Sequence, residues 1–365
     1  MSIRIAVSGG GTGGHIIPAL NIADVFRAAD IHNHVIFIGN GNGSLEEKLA
    51  HEHNYPFYPV KISPFSRTQM LNNAKLPFEI IRSLVNVNSY LRREKINLVV
   101  GTGGYASLPA VAGARFMGMP YFLQDQNAFP GMVTRQMASG ARRIFLGYAE
   151  AKRALDCRAD RLIVTGNPVS IERVTESPET CRERFGLLHD RKTLFVTGGS
   201  GGALSINKVV DSIKSTLMES GWNIIWQTGK HWDGSLDVAV EDSNKLVIKR
   251  FLTTTEMGRA YRSASVAVAR CGAMSLAELA AYSLPAVLIP FPFSTDGHQE
   301  ANGRAVEIAG GGKLLLDKEL SPESLTANLN AVYTEREGMA TCMGSTAVGN
   351  AAEKIYQEIR RAVNV

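Results

Sequence analysis

The chain has 365 residues, of which 45% are hydrophobic and 20% charged, with a formal net charge of +5. That balance excludes a disordered or collagen-like chain and supplies enough apolar material for two cores. The small basic surplus includes no long basic tract of the kind that binds nucleic acid, so no nucleic-acid partner is expected. Cys157, Cys181, Cys271 and Cys342 form no Cys-x-x-Cys pair; neither a zinc site nor a disulfide framework is indicated, which fits a reducing cytosol.

In chain order, Ile3–Val7 reads as a strand with no charged leader or cleavage site ahead of it, so the expectation is a protein that is not exported. A helix is predicted from about Pro18 to Ala29, a strand over Val35–Gly39, a helix from Ser44 to about His53, and strands over Leu98–Gly101 and Pro120–Gln124. Strands alternating with helices predict an α/β fold with a doubly wound parallel sheet. The same grammar restarts at Thr193–Thr197, which runs into Gly198-Gly199-Ser200-Gly201-Gly202 and a helix. Asn223–Gln227, Leu246–Lys249, Val266–Ala269 and Ala286–Pro290 follow as strands. No stretch reaches the ~18–20 apolar residues of a spanning helix, so membrane contact is expected to be peripheral.

Two similar domains are therefore expected, at 1–165 and 191–342. The linker is placed at 166–190, because Pro168 restrains its predecessor and the residues after it are charged and lack strand character. In the remaining 343–365, Ala351, Ile355, Ile359 and Ala362 stand at helical spacing. That final helix could pack back on the N-terminal domain or on the other one.

Ser8-Gly9-Gly10-Gly11-Thr12-Gly13-Gly14-His15 links a strand to a helix, where glycines let backbone amides approach a ligand and the helix N-terminus favours phosphate. Gly9-x-Gly11-x-x-Gly14 satisfies the dinucleotide fingerprint, but Val35–Asn40 ends without the acidic residue that would hold a ribose. A nucleotide-binding oxidoreductase is thus the lesser reading. Thr12-Gly13-Gly14 recurs as Thr102-Gly103-Gly104 and Thr197-Gly198-Gly199, each after an apolar strand. One such loop is explained by tight strand-to-helix packing; three predict a cleft for two phosphorylated molecules between facing domains.

His15, at the mouth of a helix, is either a base for a hydroxyl or a capping and phosphate-binding group. Glu278, among alanines and leucines behind Arg270-Cys271-Gly272, is either buried and in need of a partner such as a ribose diol, or on the surface. No Asp-x-Asp occurs, so no cofactor is expected to be required; a divalent metal is allowed but not implied.

Taken in order, these residues resemble the MurG family of inverting glycosyltransferases. The resemblance runs nearly end to end. It is carried by Gly10 through His15 with Pro18-Ala19-Leu20, Gly103-Gly104-Tyr105, Asp125-Gln126-Asn127 and Gly166-Asn167-Pro168-Val169. Gly198-Gly199-Ser200, Gly272-Ala273 through Glu278, and Asp296-Gly297-His298-Gln299 through Asn302 complete it. It implies a GT-B fold and transfer of N-acetylglucosamine from UDP-GlcNAc to lipid I, a polyprenyl-pyrophosphoryl-MurNAc-pentapeptide. The product would be lipid II for peptidoglycan synthesis, made by a peripheral enzyme on the cytoplasmic face of the bacterial plasma membrane.

By carry-over, Ser200 and neighbouring amides would hold the donor diphosphate, Glu278 the ribose, and Leu252 backbone groups the uracil. Gln299 and Asn302 would hold the GlcNAc hydroxyls or nearby groups, with Arg270 beside the departing UDP. Thr12, Gly13, Gly14 and His15 would meet the acceptor pyrophosphate and the MurNAc 4-hydroxyl, with Gly104, Tyr105, Gln126 and Asn127 lining that side. His15 is the candidate base and Asp125 its helper.

The chain departs from the family pattern at Gly201, where glutamine is frequent, at Ser170, where arginine is common, at Gln124–Asn127 and at Val133-Thr134. These changes bear mostly on the acceptor. The rival readings are a related glycosyltransferase with another acceptor, such as a diacylglycerol, and a sugar-nucleotide epimerase on the same architecture. Leu76, Pro77, Phe78, Ile80, Ile81, Leu84 and Val85 lie between Arg67, Lys75 and Arg82 and the basic Arg92, Arg93 and Lys95. They form either a patch for an anionic membrane surface or, through Ile81, Leu84, Val85 and Leu91, the buried stripe of an ordinary helix.

Overall fold

The computed structural model describes residues 2–63, 74–169 and 174–364, and the chain divides into two compact units, Met1–Val169 with Gly349–Val365, and Ser170–Val348. In the first unit the elements run β1 (Arg4–Ser8), α1 (Gly13–Ala29), β2 (His34–Asn40), α2 (Leu45–Glu52), β3 (Phe57–Val60), α3 (Leu76–Arg93), β4 (Leu98–Gly101), α4 (Leu108–Phe116), β5 (Tyr121–Asp125), α5 (Met132–Met137), β6 (Arg143–Leu146) and β7 (Leu162–Val164). All pairs are parallel, in the order β3-β2-β1-β4-β5-β6-β7. Helices cover both faces, so the strands are apolar on both sides. Ala6, Ile36 and Val99 enter one core, while Ile5, Val7, Phe37 and Phe122 enter the other.

The second unit runs α6 (Pro178–Arg184), β8 (Lys192–Thr197), α7 (Leu204–Glu219), β9 (Trp222–Gln227), β10 (Leu246–Lys249), α8 (Thr254–Ser263), β11 (Val266–Ala269), α9 (Ala273–Ala281), β12 (Ala286–Leu288), α10 (His298–Ile308), β13 (Gly312–Leu314), α11 (Pro322–Thr334) and α12 (Arg336–Ser345). Its parallel sheet has the order β10-β9-β8-β11-β12-β13. In each sheet the winding reverses beside the first strand, between β1 and β4 and between β8 and β11. Ligands of open α/β sheets bind at the carboxyl ends of the strands at such reversals.

Several expectations need correcting. α1 begins at Gly13, inside the glycine loop, so Pro18 lies within the helix; the carbonyl it leaves unbonded is that of Gly14, near the exposed mouth. β3, β6, β7 and β13, each three or four residues long, were not anticipated. β3 also carries Pro59, tolerated because that strand is at the sheet edge. The segment expected as a linker contains α6, whose buried Cys181 and whose neighbour Glu176, bonded to Arg259 of α8 at 2.6 Å, tie it to the second unit. Residues 343–345 end α12, and the last helix, α13 (Ala351–Val363), lies in the first unit. Tyr356 meets Phe26 of α1 edge-on with ring centroids 4.9 Å apart, and Arg142 donates to the Ala362 carbonyl at 3.0 Å.

Candidate active site

In the first unit Ser8 of β1 is in register with Gly101 of β4, so the loops that follow these strands lie side by side. Thr102 N–H donates to Ser8 O at 2.8 Å, and Gly10 N–H to Gly103 O at 3.3 Å. The approach demands glycine at 104: its φ is +74°, and a Cβ there would fall 1.8 Å from the Gly10 carbonyl oxygen. The exposed Thr12 makes no side-chain capping bond at the start of α1, which leaves the first helical amides, Gly13 and Gly14, for an outside acceptor.

His15 is only partly exposed. Its Nδ1 lies 2.8 Å from Gln126 Oε1 and 3.1 Å from Thr102 O. Gln126 is 2% exposed, and its amide nitrogen is engaged with Thr102 O at 2.8 Å and with Gln124 Oε1. Its oxygen is therefore the atom turned to His15, and Nδ1 must carry the proton. The Nε2 lone pair is left to act as a base.

Asp125, expected to help His15, does not bond to it. Its oxygens accept Asn127 N–H at 3.1 Å and Gly131 N–H at 2.9 Å, which closes the turn after β5. Gln126, expected to line the acceptor side, is bonded to the His15 imidazole. Tyr105 lies over Gly11 with its hydroxyl accepting from Asn40 at 3.3 Å; burial first, and the Glu46 charge second, push its phenol up.

In the second unit Thr197 of β8 is abreast of Gln227 and Ala269, so the loop at 198–203 adjoins those after β9 and β11. Ser200 is exposed, and Lys230 N–H and His231 N–H hold the carbonyls of Ser200 and Gly201 at 3.2 and 3.3 Å. The amide of Leu252 is already taken by Gln227 Oε1 at 2.9 Å, so only its carbonyl is left for a ligand. Glu278 is neither isolated nor fully on the surface. Partly exposed, it accepts the Tyr261 hydroxyl at 2.6 Å, and crowding by protein raises its carboxyl pKa although that bond pulls the other way.

Two donor-side residues are engaged with the protein itself. Arg270 is no free cation: it pairs with Asp317 at 2.5 Å, donates to Pro290 O at 3.0 Å and to Ser205 Oγ at 2.9 Å, and so ties the ends of β11 and β12 to the first turn of α7. Asn302 is wholly buried and donates to Cys271 O at 3.2 Å, bracing the turn before α9. Gln299 is partly exposed, with Oε1 accepting Phe291 N–H at 2.9 Å. Tyr261, Asp317, Ser205 and Gln227 were not foreseen, since each reaches its partner across 17 to 112 residues with no motif between. Ser170 lies outside the described residues.

Comparison with known proteins gives the same assignment. Residues 5–146 match the glycosyltransferase family 28 N-terminal domain and residues 193–359 its C-terminal domain. The UDP-N-acetylglucosamine–N-acetylmuramyl-(pentapeptide) pyrophosphoryl-undecaprenol N-acetylglucosamine transferase of Acetivibrio thermocellus is 32% identical, covering 98% of each chain. The Bacillus subtilis protein of the same name is also 32% identical, over 97% of this chain and 98% of its own. The crystal structure of Acinetobacter baumannii MurG superposes with a TM-score of 0.75 over 99% of this chain and all of that one, at 22% identity, and shows the shared GT-B architecture of two parallel-sheet domains. Full-length likeness to these transferases sets aside the oxidoreductase and epimerase readings, and the chain belongs to the MurG family of N-acetylglucosamine transferases.

Proposed function

We propose that this chain moves N-acetylglucosamine, with inversion, from UDP-GlcNAc to the MurNAc 4-hydroxyl of lipid I, giving lipid II. The observation that carries the chemistry is the orientation of His15, with Nδ1–H bonded to Gln126 and Thr102. Nε2 takes the hydroxyl proton as that oxygen bonds to the anomeric carbon and the bond to UDP breaks. The amides of Gly13 and Gly14 at the start of α1 suit the acceptor pyrophosphate.

On the donor, charge grows on the departing UDP, where the amides around Ser200 and the N-terminus of α7 are its stabilisers. Arg270 keeps Ser205 and that helix end in place. Glu278 takes the ribose, the Leu252 carbonyl the uracil, and Gln299 the sugar.

Lipid I brings the protein to a membrane, and α3 supports a peripheral mode. Phe78, Ile81 and Val85 share one helix face and are 69, 62 and 64% exposed, while Ser83, Val87 and Leu91 are buried on the other. Exposed Lys75, Arg82, Arg92, Arg93 and Lys95 add the positive charge that suits anionic lipid. Leu91 thus belongs to a buried stripe, as an ordinary helix requires, but Ile81 and Val85 do not; Arg67 lies outside the described residues. Among the described residues no helix is long and apolar enough to cross a membrane. The cytoplasmic face of the bacterial plasma membrane is the place this reading assigns.

Purified protein supplied with labelled UDP-GlcNAc and either lipid I or diacylglycerol tests the proposal. Label in the lipid I product supports it; transfer to diacylglycerol alone overturns the acceptor.

A further inference from the structure

Glu46, near the start of α2, lies beneath the first glycine loop and has no part in the chemistry above. It is 4% exposed, and its Oε1 accepts the Gly11 N–H at 2.8 Å. Two glycines shape the slot it occupies. A Cβ at Gly10 would fall 2.2 Å from Oε1, and one at Gly39 would fall 3.0 Å from the Glu46 Cβ. From the other side the Tyr105 ring closes on Gly11, where a Cβ would come within 2.8 Å of it. Gly11 has φ +90°, a conformation that few other residues tolerate.

A carboxylate in this position presents two opposing effects. Its charge repels any phosphate held by the loop, whereas its hydrogen bond fixes the backbone at the residue where the chain turns toward Thr12. A buried carboxylate that weakened the ligand without return would be a double cost. The geometry points to Glu46 as a positioning residue for the acceptor: by fastening Gly11 it aims the amides of Gly13 and Gly14, and the imidazole of His15 after them, at the ligand. This inference rests on the reading that the first loop meets the acceptor pyrophosphate.

Two substitutions separate the bond from the charge. Glu46→Gln keeps an oxygen for Gly11 and removes the charge; Glu46→Asp keeps the charge and draws it back from Gly11 by one methylene. Amide hydrogen exchange across residues 8–15 of the full-length protein without substrate reads the loop directly, and steady-state kinetics reads the two substrates. Glu46→Asp is expected to speed exchange and raise the KM for lipid I, each by about tenfold, with the KM for UDP-GlcNAc held within about twofold. Glu46→Gln, which keeps the bond and removes the repelling charge, is expected to leave exchange and the KM for UDP-GlcNAc near the parent values and to hold or lower the KM for lipid I. Unchanged exchange in Glu46→Asp, a Gln variant as impaired as the Asp one, or an equal rise in both KM values would overturn the assignment. Failure of the parent protein to use lipid I would instead sink the acceptor reading, and the exchange measurement would still judge the Glu46 bond by itself.

Discussion

The Nδ1–H of His15 donates to the side-chain oxygen of Gln126 at 2.8 Å, because the Gln126 nitrogen is held by the Thr102 carbonyl at the same distance. The pair fixes both the tautomer and the plane of the ring. Steady-state transfer kinetics should show a kcat loss of about 10²–10⁴ for His15→Ala with the UDP-GlcNAc KM little changed. Gln126→Leu should lose less, since Thr102 O still accepts from Nδ1. Full turnover in His15→Ala would place the base elsewhere.

Glu278 gives a pH-dependent prediction. Burial raises its carboxyl pKa above the ordinary value, with the Tyr261 hydroxyl offsetting part of the rise. The folded protein then binds a proton that the unfolded chain has already released, so ionisation costs stability. The cost starts as pH climbs out of the ordinary carboxylate range and is complete above the raised value. Glu278→Gln is therefore expected to raise Tm near pH 7, to lose that gain at about pH 4, and to weaken UDP-GlcNAc binding. A gain independent of pH in thermal melts would show that burial of the charge is not its source.

In the Arg270–Asp317 ion pair, with side chains 10 and 19% exposed, removal of one partner strands the other. Asp317→Ala is expected to cost about 3–5 kcal/mol in chemical denaturation and to weaken UDP binding measured by titration, because Ser205 loses its bond to Asp317 as well. Wild-type stability with a fall in kcat alone would return Arg270 to the departing UDP.

Serine at Phe78, Ile81 and Val85 together should abolish sedimentation with anionic vesicles. Because the three side chains are exposed, Tm should move by no more than about 2 °C. Binding of the parent protein should fall with added salt, as expected for a basic rim. Vesicle binding by the triple variant equal to that of the parent would remove α3 from the membrane surface.

The sequence made the strand–helix alternation legible because parallel strands covered on both faces are short apolar runs, as in Ile5–Val7 and Leu194–Val196. The glycine loops were legible for a related reason: Gly104 and Gly11 hold positive φ where another backbone or ring comes close. Edge strands such as β3, with Pro59, fall below that signal. Side-chain partners were hidden. Asp125 and Gln126 are adjacent in sequence, yet one closes its own turn and the other bonds to His15. Arg270 read as a cation for the nucleotide because nothing near it in sequence announces Asp317, 47 residues away.

The stereochemistry of transfer tests the mechanism most directly. Lipid I and α-linked UDP-GlcNAc are incubated with the parent protein and with His15→Ala, and the new glycosidic linkage is assigned by NMR while released UDP is counted. A β-linked disaccharide formed one-for-one with UDP by the parent protein, and nearly absent with His15→Ala, is the expected result. An α-linked product, UDP release without a new linkage, or undiminished transfer by the alanine variant would contradict a single displacement with His15 as base.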